Sequence, residues 1–271
     1  MNKLFAYSHI GNSRENQEDN YFIGRGKFLS PADRDKMSEK RKCKVDTCIS
    51  DQICCCVSDG MGGYSFGEEA SLLTVSYIDE NYDELLNRWN KSDRYIQNFV
   101  EKLNGYICEK ASKEVELRDM GATLCGVLLE GNDGICFNVG DSRAYRVYSD
   151  RIEQITVDHT EGQRLLELGL LNEEELDSFP KRKAIYKYIG KPIDLIPDVY
   201  EIRGLKEGEY ILLCTDGLSD VIAEEELFNM MSKKFISTED KGKFLVEMAV
   251  ERKISTGDNV TLIIIERGDR Q

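Results

Sequence analysis

The chain has 271 residues, 50 of them Asp or Glu against 36 Lys or Arg, giving a formal net charge of −14 and a pI near 4.8. That balance argues against duplex nucleic acid, whose phosphates demand surplus Lys and Arg, yet leaves open small anionic groups that feel the local site. No apolar run reaches the ~20 residues of a membrane span and no signal-peptide pattern opens the chain, so a soluble, cytoplasmic protein without membrane contact is expected.

In chain order, NYFIG (20–24) and ICCCV (53–57) read as the first strands. Between them, residues 25–52 are irregular and basic around Lys36, Lys40, Arg41, Lys42 and Lys44, and read as a solvated loop. A helix is expected over 67–89, with Ala70, Leu73, Tyr77 and Ile78 on one face. Another is expected over 92–117, capped by Ser92, with Ile96, Phe99, Val100, Leu103, Ile107, Ala111 and Val115 in one stripe. Strands follow at 123–130 and 134–139, joined through Gly131 to Gly134, then at 143–149 and 151–156 around Asp150. The polar segment 157–197, with a short helix at 160–168 and an NEEEL turn, has the character of a functional cover. Strands at 198–203 and 209–215, a helix at 239–253 through Phe244, Leu245, Met248 and Ala249, and a strand at 259–266 complete the pattern.

Consecutive hairpins argue for antiparallel sheets. YILLC and VTLIII are apolar without alternation, so both faces of their sheet must be covered. The expected fold is α+β, a four-layer α-β-β-α sandwich of two antiparallel sheets flanked by helices, forming one domain over 1–271. Nine cysteines, an odd count, fall largely in apolar runs such as Cys54, Cys55 and Cys56. With no Cys-x-x-Cys pair and only two histidines, a zinc site is not expected and the thiols read as reduced.

The chemical signal is a set of acids where apolar strands meet turns. Asp59-Gly60 ends CCCVSD, Asp216-Gly217 ends ILLCTD, Asp258 precedes VTLIII, and Arg14 through Asp19 precede NYFIG. One Asp-Gly after a strand is a turn; several on neighbouring strands would gather carboxylates at one rim. Such anions repel one another unless cations are bound, and hard oxygen ligands suit Mg²⁺ or Mn²⁺. The glycine after Asp59 lets the backbone carbonyl approach a metal, and Arg14 matches phosphate oxygens as a bidentate clamp.

These residues resemble the metal-dependent Ser/Thr protein phosphatases of the PPM, or type-2C, class in bacterial form. The resemblance runs in order through R-x-x-x-E-D at 14–19, DGMGG at 59–63 with GEEAS at 67–71, DMGATL at 119–124, VGDSRAYR at 139–146, ITVDHT at 155–160, LLCTDGLSD at 212–220 and GDN at 257–259. It implies that Asp59 bridges two Mn²⁺ or Mg²⁺ ions, that Gly60 offers its carbonyl to one, and that Asp216 and Asp258 bind the other. Glu18 and Asp19 would orient metal-bound waters, Arg14 would grip the phosphate, and Asp119 would hold a third ion. A bridging hydroxide would attack phosphorus in line without a phosphoenzyme. The insertion at about 157–197 would be the family's flap, which helps choose substrates. Met61 and Tyr64 stand where relatives carry histidine, so a metal-bound water or a flap residue would protonate the leaving serine; Lys183 replaces a flap asparagine.

Other signals carry less. Asp33-x-Asp35 follows no apolar strand, Gly24-x-Gly26 opens no helix, and Gly242-Lys243 lacks the rest of a phosphate loop. His9 and His159 fit a catalytic or a hydrogen-bonded structural role equally and are assigned neither, and Ser142 reads as a turn cap. The expected protein is a monomer acting on phosphorylated Ser/Thr proteins of a cognate kinase. The alternatives are a non-catalytic phosphoprotein- or kinase-binding relative, and a phosphatase of small phosphoesters. Because the −14 field opposes anionic substrates while the site attracts them locally, raising salt to physiological strength should leave phosphopeptide kcat/KM nearly unchanged or raise it. A steep fall in a steady-state assay would contradict this.

Overall fold

The computed structural model describes residues 1–40, 42–62, 66–88, 93–252 and 257–268. The chain begins with β1 (Asn2–His9), β2 (Asn20–Phe22), α1 (Pro31–Lys40), β3 (Lys44–Ser50), β4 (Gln52–Ser58) and the short β5 (Gly60–Met61). Next come α2 (Phe66–Glu80), α3 (Tyr82–Arg88), α4 (Asp93–Lys113), β6 (Gly121–Ala122), β7 (Leu124–Glu130), β8 (Asp133–Val139), β9 (Arg143–Val147) and β10 (Ile152–Gln154). The remainder holds α5 (Glu161–Glu167), α6 (Glu173–Ser178), β11 (Asp198–Ile202), β12 (Tyr210–Cys214), α7 (Asp216–Ser219), α8 (Glu224–Met231), α9 (Thr238–Arg252) and β13 (Val260–Arg267).

Two antiparallel sheets result, ordered β10-β9-β12-β13-β1-β3 and β11-β8-β7-β4-β2, with β5 and β6 as a separate ribbon. Side chains alternate across each strand, and in β4, β12 and β13 both sets are largely buried. Ile263 and Ile265 of β13 join Cys55 and Val57 of β4 in the core between the sheets. Leu262 and Ile264 point the other way, onto Leu218, Leu227 and Leu245 of α7, α8 and α9. Cys54 and Cys56 meet the helices on the opposite side, through Ala70, Val75, Leu103 and Ile107. The layers are therefore helices, sheet, sheet, helices, which accounts for the unbroken apolar runs. All nine cysteines are free thiols. Among the described residues no helix is long and apolar enough to cross a membrane.

Several local expectations need correction. The stretch 25–52 contains α1 and β3, and buries Leu29, Arg34 and Met37. The helix expected at 67–89 is divided at Asn81 into α2 and α3, with both the backbone N–H and the side-chain amide of Asn81 donating to the Tyr77 carbonyl. NEEEL is the start of α6, closed by a reciprocal capping box between Asn172 and Glu175. Val115 lies beyond the end of α4 in a 3₁₀ turn and is 73% exposed, and Phe244 also faces solvent. Arg41, Gly63, Tyr64, Trp89, Ser92 and Lys253 lie outside the described residues.

Residues 157–197 leave β10 and are tied back to the body where Ala122 and Ile189 exchange backbone bonds at 2.9 and 2.8 Å, while Tyr186 N–H donates to the His159 carbonyl within the segment. Leu103 and Val115, assigned to one stripe by sequence, should now part company. Leu103→Ala, in the core, should cost about 2–5 kcal/mol, whereas Val115→Ala should stay within about 0.5 kcal/mol of wild type. Urea denaturation midpoints measure both.

Candidate active site

Four strand ends meet at one rim. In the second sheet Asn20 pairs with Ser58, which sets Asp19, before β2, beside Asp59, after β4. In the first sheet Cys214 pairs with Leu262, so Asp216, after β12, and Asp258, before β13, share the same end. A buried hydrogen bond joins the two pairs across the sheets: Thr215 Oγ1 donates to Asp19 Oδ2 at 2.8 Å.

The acids feel one another strongly. Burial, and then the charges of Asp19, Asp216, Asp141 and Asp258, hold the Asp59 carboxyl well above the ordinary range. Burial does the same to Asp19, with Asp258 adding to the effect and hydrogen bonds from Thr215 and Thr261 opposing it. Glu18 is also raised by burial, against the pull of Arg14. These are hard oxygen donors that a divalent cation would relieve, so their chemistry fits Mn²⁺ or Mg²⁺. Among the described residues no three His, Cys, Asp or Glu side chains form a ready-made chelating group.

The glycines of both Asp-Gly pairs serve close approach. A Cβ on Gly60 would lie 1.8 Å from the Gly67 carbonyl oxygen and 2.7 Å from that of Glu18. A Cβ on Gly217 would lie 1.8 Å from the Asn259 carbonyl oxygen. Gly60 therefore brings the start of α2 against Glu18, and Gly217 brings α7 against the start of β13. Asp216 is the first residue of α7, beyond the simple turn that its Asp-Gly sequence suggests.

Arg14 is half exposed and grips Asp258, with Nε 3.0 Å from Oδ1 and Nη2 3.0 Å from Oδ2; its Nη1 is 3.9 Å from Glu18. Asp119 is exposed just before β6, its carbonyl oxygen 3.4 Å from where a Gly62 Cβ would stand, and it shares in none of the burial of Asp19 and Asp59.

Three residues of the site escaped the sequence reading. Asp141 follows β8 and is pushed up to about 7 by burial and by Asp216 and Asp158. It obeys the same rule of an acid beyond an apolar strand, and GDSR was the signal. Asn259 accepts from Glu18 N–H at 2.7 Å and donates to the Ile10 and Asn16 carbonyls, tying the Arg14 loop to β13. Thr123 exchanges 2.8 Å bonds with the Asp59 backbone, and its hydroxyl meets that of Ser142 at 2.7 Å. Ser142 is thus fully buried behind Asp59 rather than an exposed turn cap.

The discarded signals have structural explanations. Gly140 N–H donates to His159 Nδ1 at 2.9 Å, and Gly11 N–H donates to His9 Nδ1 at 2.8 Å. Asp33 accepts from Ser30 at the start of α1, and a Cβ on Gly242 would lie 2.1 Å from the Tyr7 ring.

Comparison with known proteins places the chain in a family. A serine/threonine phosphatase, stp, from Listeria innocua is 27% identical over 213 residues, spanning 78% of this chain and 83% of that protein. The crystal structure of the serine/threonine phosphatase Stp1 from Staphylococcus aureus superposes with a TM-score of 0.81 at 27% identity, covering 98% of this chain and 95% of that one. The catalytic domain of the phosphatase PstP, solved with two manganese ions, gives 0.74 at 25% identity, covering 99% of this chain and all of that domain. Residues 42–250 match the family model for protein phosphatase 2C, and the chain belongs to that family.

Proposed function

We propose that this protein phosphatase hydrolyses phosphoserine and phosphothreonine on proteins, using two divalent cations, Mn²⁺ or Mg²⁺, held by Asp59, Gly60, Asp216 and Asp258. The observation that carries the reading is the gathering of acids from both sheets at one rim, Asp19 and Asp59 from one and Asp216 and Asp258 from the other, joined by the Thr215 to Asp19 hydrogen bond. The related PstP domain that holds two manganese ions supports the choice of metal. Cations bound there would supply activation of water and neutralisation of phosphate charge.

The chain's own residues do the rest. Asp59 would hold the cations, its backbone pinned on both sides by Thr123. Glu18 and Asp19 orient water at the rim, Asp19 with one oxygen fixed by Thr215. Arg14, itself aligned by Asp258, holds the phosphate oxygens so that water meets phosphorus in line with the departing serine or threonine oxygen. Asp119, at the exposed edge, would be the residue to hold a third ion.

Residues 157–197 act as the flap. A cavity of about 180 Å³ lies between Asp141, Asp216 and Asp220 on the body and Arg182 and Lys183 on this segment, with Lys183 ion-paired to Asp220. Side chains flanking the phosphoresidue are read there. The protein works as a cytoplasmic monomer on phosphoproteins made by a Ser/Thr kinase, without nucleic acid.

Phosphopeptide turnover with Mn²⁺ tests the reading. Asp59→Asn should lower kcat/KM by several orders of magnitude, since both ions lose a shared ligand; wild-type activity in that variant would overturn the proposal. In a thermal melt, Mn²⁺ at 100-fold its Kd should stabilise the wild type by about 2.7 kcal/mol and the Asp59→Asn protein much less. Tight phosphopeptide binding with zero turnover in the presence of Mn²⁺ would favour a non-catalytic binding protein instead.

A further inference from the structure

Helix α1 lies in a stretch whose composition reads as a solvated loop, and most of PADRDKMSEK is polar. Yet Arg34 is 1% exposed and ranks among the largest fully buried side chains in the protein. Its Nη1 donates to the Glu68 carbonyl at 2.5 Å and lies 3.7 Å from the Glu68 carboxylate. Its Nη2 donates to Ser71 Oγ at 2.8 Å and to the Asp19 carbonyl at 3.3 Å. Ser71 Oγ in turn donates to the Glu18 carbonyl.

One guanidinium therefore fastens the backbone of both Glu18 and Asp19, one through Ser71 and the other directly, to the first turns of α2. That is the helix whose Gly67 backs Gly60. Burying a cation is unfavourable, and an apolar side chain of similar volume would fill the space without that penalty. What the apolar side chain would lack is a planar fork able to reach several acceptors in fixed directions. We propose that Arg34 is a positioning residue for the Glu18–Asp19 pair, brought to the site by α1 and setting the direction in which both carboxylates enter the rim. This rests on the metal-dependent reading above.

Calorimetric titration of the full chain with MnCl₂, alongside steady-state phosphopeptide kinetics, separates positioning from mere structure. Ser71→Ala should weaken Mn²⁺ affinity roughly 10- to 100-fold and lower kcat while leaving the phosphopeptide KM unchanged. Arg34→Met should do so more strongly, and Arg34→Lys should recover only part of the loss, because an ammonium cannot span all the acceptors. If Arg34→Met fails to fold, Ser71→Ala and Arg34→Lys carry the test. Wild-type Mn²⁺ affinity and kcat in both of these, with only the melting temperature lowered, would overturn the inference. So would an Arg34→Lys protein that matches wild type while Ser71→Ala is impaired. A wild-type protein that binds no Mn²⁺ would instead bring down the metal reading, and this inference with it.

Discussion

The hydrogen bond from Thr215 to Asp19 joins the ends of two sheets whose shared core is mostly apolar, and it ties the two halves of the rim together. Thr215 follows β12 in one sheet and Asp19 precedes β2 in the other. At this end the core between the sheets turns polar. Ser8 and Thr261 share a 2.8 Å bond between neighbouring strands, and Gln17 donates to Ser8 at 2.6 Å. A buried carboxyl needs donors, and a threonine hydroxyl can supply one. The stitch thereby fixes one oxygen of Asp19 and sets the spacing at which the acids of the two sheets confront each other.

That spacing would be useless if helices could not begin directly at the strand ends. Gly60 and Gly67 let β5 and α2 approach until a single Cβ would collide with backbone, and Gly217 does the same for α7 against Asn259. The first turns of α2 then face the loop that carries Glu18, with Ser71 hydrogen-bonded to its carbonyl. Chain economy follows: each acid is held by its own strand end, and each strand end is held by a neighbouring element's backbone.

The sandwich was legible because apolar strands that do not alternate can only be covered on both faces, and β4, β12 and β13 are of that kind. The acids Asp19, Asp59, Asp216 and Asp258 were legible for a related reason, since an acid at the end of such a strand leaves a greasy interior at a predictable place. Asp141 meets the same criterion after β8, but its turn also contains Ser142 and Arg143, polar neighbours that give the sequence the pattern of a surface corner. Helix α1 was not legible: its contribution to the interior is one methionine and one arginine, a pattern without apolar periodicity. Val115 failed for the opposite reason, keeping the helical spacing after the helix had ended.

The two arginines around Glu18 and Asp19 differ in a way that bears on how the site can work. Arg14 is 48% exposed and its partner Asp258 is 29% exposed, so their pair lies in the class worth about 0.2–1 kcal/mol and can exchange partners readily. Arg34 has no such freedom; removing its guanidinium would leave the Glu68 and Asp19 carbonyls and the Ser71 hydroxyl short of a buried donor. An arginine meant to meet phosphate must be able to leave its resting partner, and one meant to hold a carboxylate in register must not. On the proposed reading of the site, burial would separate these two tasks, with the same side-chain chemistry on either side of one acidic pair.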